Sequence, residues 1–96
     1  MSYLEKRRSD LRKALRELWV EREMERNRVT SRPIMSEQDE SERLYLLANI
    51  DRHYDGPISL YTRQLIEAEL AEERDGVVYL NPVRDEQQVS EILSRV

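Results

Sequence analysis

The strongest structural signal in this chain lies in residues 2–29, SYLEKRRSDLRKALRELWVEREMERNRV, which contain neither glycine nor proline. Leucines recur there at intervals of seven, four and three residues, the spacing of one face of an α-helix. This leucine face comprises Leu4, Leu11, Leu15 and Leu18, with Ala14 and Trp19 beside it. The segment therefore predicts one long amphipathic helix that packs against another element, within the chain or in a second copy.

Basic side chains follow the leucine face. Arg8, Arg12 and Arg16 stand four residues apart, with Lys13 close by, so they run along one side of the predicted helix. Such a row could follow the phosphates of DNA or RNA. The whole chain, however, has an isoelectric point near 5.1, whereas a dedicated nucleic-acid-binding domain has a value above about 9. Nucleic-acid binding by these four residues is therefore an alternative. Glutamates farther along the helix oppose binding to an anionic membrane.

A boundary follows this helix. Residues 27–33 break the helical pattern, and Pro33 disfavours a helical conformation at the residue before it. The charge changes at the same place: residues 1–32 hold ten Lys or Arg and six Asp or Glu, whereas residues 33–96 hold six and 14. We therefore divide a single domain into a long basic amphipathic helix, 1–32, and an acidic helical body, 33–96.

The acidic body begins with a central helix. Ser36 is the predicted N-cap, because acidic residues, which favour a helix N-terminus, follow at positions 37, 39 and 40. The helix is apolar on more than one side, which is typical of a core element. Asp55-Gly56-Pro57 has strong turn chemistry. We therefore expect the central helix to end near Tyr54.

A third helix, a strand and a fourth helix complete the prediction. The third helix spans about residues 60–74, and Gly76 suits the left-handed position just past its end. Residues 77–80, VVYL, predict one short strand, paired with residues 57–60 or with the same strand of a second copy. Asp85 is the predicted cap of a C-terminal helix. The fold class is mainly α: a long N-terminal helix packed on a central helix, a third helix, one strand and a C-terminal helix.

Residues 72–80, EERDGVVYL, locally resemble the end of a winged-helix DNA-binding domain, where a helix runs into the wing hairpin. That family has two helices before the wing and a returning strand within it. Here residues 57–75 have room for one helix, and no returning strand is predicted before Asn81-Pro82. We assign no family, and the resemblance keeps a DNA-associated regulator as an alternative.

The chemistry-bearing residues are few. The chain has no cysteine, one histidine and two glycines, so thiol catalysis, thiolate metal sites and phosphate-cradling glycine loops are excluded. A metal site at Asp51, His53 and Asp55 is disfavoured, because residues 51 and 55 share a helix face and 53 points nearly opposite. We expect no enzyme, no metal and no cofactor.

Two charges fall on apolar helix faces. By helical phase, Arg22 lies on the leucine face of the first helix and Asp51 on the apolar face of the central helix. A buried charge is costly unless it is paired. The pattern predicts an ion pair between Arg22 and Asp51, within one chain or across an interface.

The function prediction rests on composition. Charged residues make up 38% of the 96 residues and phenylalanine is absent, against about 25% charged residues in a typical domain. So small a core favours self-association. We expect a non-catalytic regulatory or adaptor protein, such as a viral or mobile-element accessory factor, that forms homodimers and binds an unknown protein. The alternatives are a DNA- or RNA-binding regulator and a structural subunit. The predicted interface is Leu4, Leu11, Leu15, Leu18 and Trp19.

The expected compartment is the cytoplasm. Charged residues recur from Glu5 onward without the apolar segment of a secretory signal. No run of 18 apolar residues occurs, so no membrane span is predicted.

Overall fold

The computed structural model describes residues 2–96. Its elements are helix α1 (Tyr3–Thr30), helix α2 (Glu37–Leu70), strand β1 (Glu72–Arg74), strand β2 (Val77–Tyr79) and helix α3 (Glu86–Ser94). The predicted mainly helical class is confirmed. The described chain has three helices and two strands, however, where the sequence predicts four helices and one strand.

Helices α1 and α2 form an antiparallel hairpin that gives the molecule its length. Helices α2 and α3 begin at the N-caps predicted from the sequence. The Ser36 hydroxyl accepts a hydrogen bond from the Asp39 amide at 3.2 Å, and the Asp85 carboxylate accepts one from the Gln88 amide at 2.9 Å. The described chain measures 63 × 27 × 18 Å, and its radius of gyration is 18.0 Å, against about 12–13 Å for a compact domain of this length. The fold is therefore a rod.

The predicted break at Asp55-Gly56-Pro57 is wrong, because α2 continues through it as one helix of 34 residues. Pro57 has no N–H to donate to the carbonyl four residues earlier, a loss of about 3 kcal/mol in a helix interior. Tyr54 and Leu65 are buried on either side of the proline. Helix α1 runs past the proline without interruption, so packing on both sides holds α2 together. The freed carbonyl is that of His53, which is exposed, so water can reach it.

The predicted lone strand has a partner in its own chain. Residues 72–74, which the sequence predicts to be the end of the third helix, form β1 and pair antiparallel with β2, with Glu73 opposite Val78. The turn residues Asp75 and Gly76 have φ angles of 52° and 78°, the positive values that a two-residue type I′ hairpin turn requires. Neither residues 57–60 nor a second copy is needed to pair with β2.

The core occupies one end of the rod. Its buried members are Leu4, Leu11, Leu15, Leu65, Ala68, Ala71 and Ile92. Helix α3 packs on α2 at this end, so the rod is three helices thick there. We call residues 20–54 the distal half. It consists of two helices and their loop, and only Val29 and Tyr54 are buried in it.

Candidate interaction surfaces

The leucine face of α1 is mostly occupied by its own chain. Leu4, Leu11 and Leu15 are 7%, 2% and 0% exposed and belong to the core. Leu18 and Trp19 are half-buried. Three of the five predicted interface residues are therefore core residues of the folded chain, and a partner surface has to be sought among other side chains.

Arg8 closes the C-terminal end of α2. Its Nε donates to the carbonyl of Ala68 at 2.7 Å and its Nη2 to the carbonyl of Ala71 at 2.8 Å. The Asn81 side chain donates to the neighbouring carbonyl of Leu70 at 2.8 Å. The last turn of α2 contains no basic residue of its own, so the guanidinium of Arg8 supplies the positive charge that a helix C-terminus favours.

The other predicted nucleic-acid contacts divide into two groups. The Arg12 Nε lies 3.5 Å from Glu69 Oε1 and also donates to the carbonyl of Arg8 at 3.3 Å. Lys13 and Arg16 are exposed. The structure therefore brings Arg8 and Arg12 together at the end of α2, where they bind protein groups, and it leaves only Lys13 and Arg16 of the four free at the surface.

Asp51 is paired, but not with the predicted arginine. The Arg26 Nη1 lies 2.6 Å from both carboxylate oxygens of Asp51, and the two side chains are 33% and 45% exposed. Arg22 lies near Asp51 in the same shallow polar depression. Within residues 2–96 of one chain the predicted Arg22–Asp51 ion pair does not form, because the register of the hairpin places Asp51 opposite the arginine one turn farther along α1.

Tyr54 is the buried aromatic residue of the distal half. Burial raises the pKa of its phenol above the ordinary 10.0, and the neighbouring Glu25 carboxylate raises it further through hydrogen bonding and charge, with a smaller effect from Glu21. The His53 ring meets the Tyr54 ring edge-on at 5.1 Å between centroids. Tyr54 therefore lies buried beside Glu25 of α1 and stays protonated near neutral pH.

The distal half exposes large apolar side chains. Those of Leu44 and Tyr45 on α2 are 62% and 67% exposed, and Met35 in the loop is 83% exposed. A groove of about 200 Å³ between the end of α1 and the start of α2 is lined by Val29, Ile34 and Leu46 together with charged residues. This is smaller than the roughly 300–1,000 Å³ of a typical ligand pocket. This groove is therefore too small for a typical small-molecule ligand.

The β-hairpin exposes a second apolar surface. All residues of β1 and β2 are exposed. Strand β2 and the residue after it are entirely apolar, whereas β1 is entirely charged. Arg74 pairs with Glu72 on its own strand and lies over the Tyr79 ring, 5.9 Å from its centre. Strand β2 therefore has the charged strand β1 on one side and an unpaired edge on the other.

Groups that could support chemistry are sparse in the part of the chain that the structure describes. Within residues 2–96 there is no cluster of three or more His, Asp or Glu side chains able to hold a metal ion. His53 is exposed. None of the described helices is long and apolar enough to cross a membrane.

No protein-family model, curated protein or solved structure matches this chain.

Proposed function

We propose that this protein is a non-catalytic regulatory or adaptor protein of the cytoplasm that acts through protein–protein contacts, including self-association. One observation carries the proposal: in residues 2–96, thirteen large apolar side chains are exposed, whereas nine apolar side chains are buried. Large exposed apolar surfaces are typical of interaction sites.

The distal half offers the surface for a different protein. Two packed helices leave apolar side chains uncovered that a third helix would bury, and full burial of a large apolar side chain is worth about 1.5–3 kcal/mol. Leu44 and Tyr45 are the most exposed apolar residues of α2. The start of α2 is rich in acidic residues, Glu37, Asp39, Glu40 and Glu42. The partner that fits is an amphipathic helix with basic residues beside its apolar face.

The nucleic-acid alternative has less support. Arg8 and Arg12 already bind groups at the end of α2, and the hairpin that resembles a wing carries acidic residues on β1 and at its turn. These charges would repel phosphates. The helix break at Gly56-Pro57 on which the resemblance depended is also absent, because α2 is continuous from Glu37 to Leu70.

The solution mass of the protein against concentration, at low and high salt, tests the proposal. We expect the mass to rise with concentration to a dimer and to depend little on salt, because apolar contacts are not screened. A chain that stays monomeric and binds DNA or RNA with an affinity that falls steeply with salt would favour the nucleic-acid alternative. A solution mass that continues to rise with concentration beyond the dimer would favour the other alternative, a structural subunit of a larger assembly.

The partner surface needs its own test. The tagged protein, Tyr45→Glu and Leu60→Glu would be compared for the proteins that they retain from cell extract. Leu60 is also an exposed apolar residue of α2, at 44% against 67% for Tyr45, but it lies outside the distal half. We expect a partner that is retained at high salt by the wild type and by Leu60→Glu and lost with Tyr45→Glu. Equal retention by both variants would contradict the assignment of the surface.

A further inference from the structure

We propose that β2 of one copy pairs antiparallel with β2 of a second copy, centred on Val78, so that two hairpins form one four-stranded sheet. The strand order would be β1–β2–β2–β1 across the two chains. This inference rests on the proposed self-association and specifies the surface that carries it.

The backbone of β2 has a free N–H and C=O at Val78 that point to its unpaired edge. The two-residue turn at Asp75-Gly76 makes Arg74 and Val77 a hydrogen-bonded pair, and in an antiparallel ladder such pairs alternate with non-hydrogen-bonded ones. Glu73 and Val78, the next pair, therefore exchange no backbone bonds. The N–H and C=O of Val78 point away from β1 to the open edge, and no turn, loop or cap bond of residues 2–96 uses them.

The side chains of the two strands differ in the way that outer and inner strands of a sheet differ. Strand β1 reads Glu-Glu-Arg and β2 reads Val-Val-Tyr, and both are exposed on both faces. Charged side chains protect the free edges of natural sheets, and an isolated two-stranded hairpin is at best marginally stable. Pairing through β2 places the charged strands outside and the apolar strands in the centre.

A second copy of this strand is a better occupant of the edge than an arbitrary peptide, because β2 is complementary to itself. With Val78 opposite its counterpart, Val77 of each copy lies opposite Tyr79 of the other. A β-branched residue facing an aromatic one is a favourable cross-strand pair. No like charges meet at the new pairing, since the acidic residues of each hairpin lie on β1 and at the turn.

Single cysteines test the register directly, because the chain has no cysteine. A hydrogen-bonded antiparallel pair has Cα atoms about 5.5 Å apart, within the range that a disulfide spans. We expect Val78→Cys to form a disulfide-linked dimer rapidly under mild oxidation. Val83→Cys is the control, since Val83 is 50% exposed against 42% for Val78. A mixture of Val77→Cys and Tyr79→Cys chains should cross-link to each other faster than either does alone.

A proline at the centre of the strand tests the backbone bonds. Val78→Pro removes the outward N–H but none of the bonds to β1, so we expect the solution mass to fall to that of a monomer, with the helical circular dichroism unchanged. Val78→Thr, which keeps the N–H and the β-branched shape, should remain a dimer.

Two results would overturn the pairing. They are equal cross-linking of Val78→Cys and Val83→Cys, or a dimer whose mass is unchanged by Val78→Pro. Either would move self-association to another surface and leave the proposed function standing. A wild-type chain that is monomeric at every concentration would refute the β2 pairing and the self-association together.

Discussion

Replacing Arg8 by methionine should destabilise the fold far more than a surface substitution. The guanidinium donates at 2.7 and 2.8 Å to two carbonyls at the end of α2. A hydrogen bond with a charged donor is worth about 1.5–3 kcal/mol. Arg8 is half-buried, so solvent reduces this to about 1 kcal/mol for each bond. The charge at the helix C-terminus adds about 0.3–1 kcal/mol. We therefore expect a loss of about 2–3 kcal/mol, or roughly 10–20 °C in Tm for a domain of this size.

Urea and thermal denaturation followed by circular dichroism would measure the effect. Arg16→Met is the matched control, because it makes the same change in the same helix at an exposed residue, and its cost should stay within about 0.5 kcal/mol. Arg8→Lys keeps the charge but loses the planar fork, so its cost should lie between the two. Equal Tm values for Arg8→Met and Arg16→Met would refute the capping role.

Three further predictions follow from the helical hairpin. Asp51→Ala should cost about 0.5–1 kcal/mol at low salt and less at high salt, because its ion pair with Arg26 is partly exposed; an unchanged urea midpoint at low salt would contradict this. Pro57→Ala should stabilise the chain by about 1–3 kcal/mol, since it restores a helix hydrogen bond, and a lower Tm would show that the proline is required. The raised pKa of Tyr54 means that the folded chain holds the phenolic proton more tightly than the unfolded chain. This stabilisation is therefore present below pH 10 and lost as the pH rises through the folded-state pKa. Between pH 9 and 11, Tyr54→Phe should lose less stability than the wild type. Equal losses in the two proteins would contradict the raised pKa of Tyr54.

The helices that could be predicted from the sequence are those whose signals are local. The leucine spacing of α1 and the caps at Ser36 and Asp85 are set by neighbouring residues, and all three occur in the structure. The continuity of α2 could not be predicted in the same way, because the energy that outweighs the proline comes from packing on α1, which no local pattern contains.

The β-hairpin has a local signal in the sequence. Asp-Gly between two strands is a strong hairpin signal, but the charged residues 72–74 also extend the helical pattern before them, so the sequence predicts a helix where the structure has β1. The exposed apolar side chains of the distal half are harder to predict. Leu46 and Tyr45 depart from the main apolar face of α2, which indicated a helix buried on several sides, whereas the structure leaves Tyr45 exposed.

The arginine contacts lie beyond sequence reasoning for a different reason. A basic row beside leucines has the same pattern whether it faces phosphate or the end of a neighbouring helix. Only the register of α1 against α2 distinguishes these cases. Arg8 and Ala68 are sixty residues apart in sequence, and the register brings them within hydrogen-bond distance.

The proline inside α2 divides stiffness unequally between the two long helices. Where α2 lacks a backbone bond, α1 has an unbroken ladder, so bending of the rod is resisted at that level chiefly by α1. The proline also lies between the distal half and the three-helix end that carries the hairpin. Any flexing of the rod therefore concentrates there and changes the angle between its two apolar surfaces while leaving each surface intact.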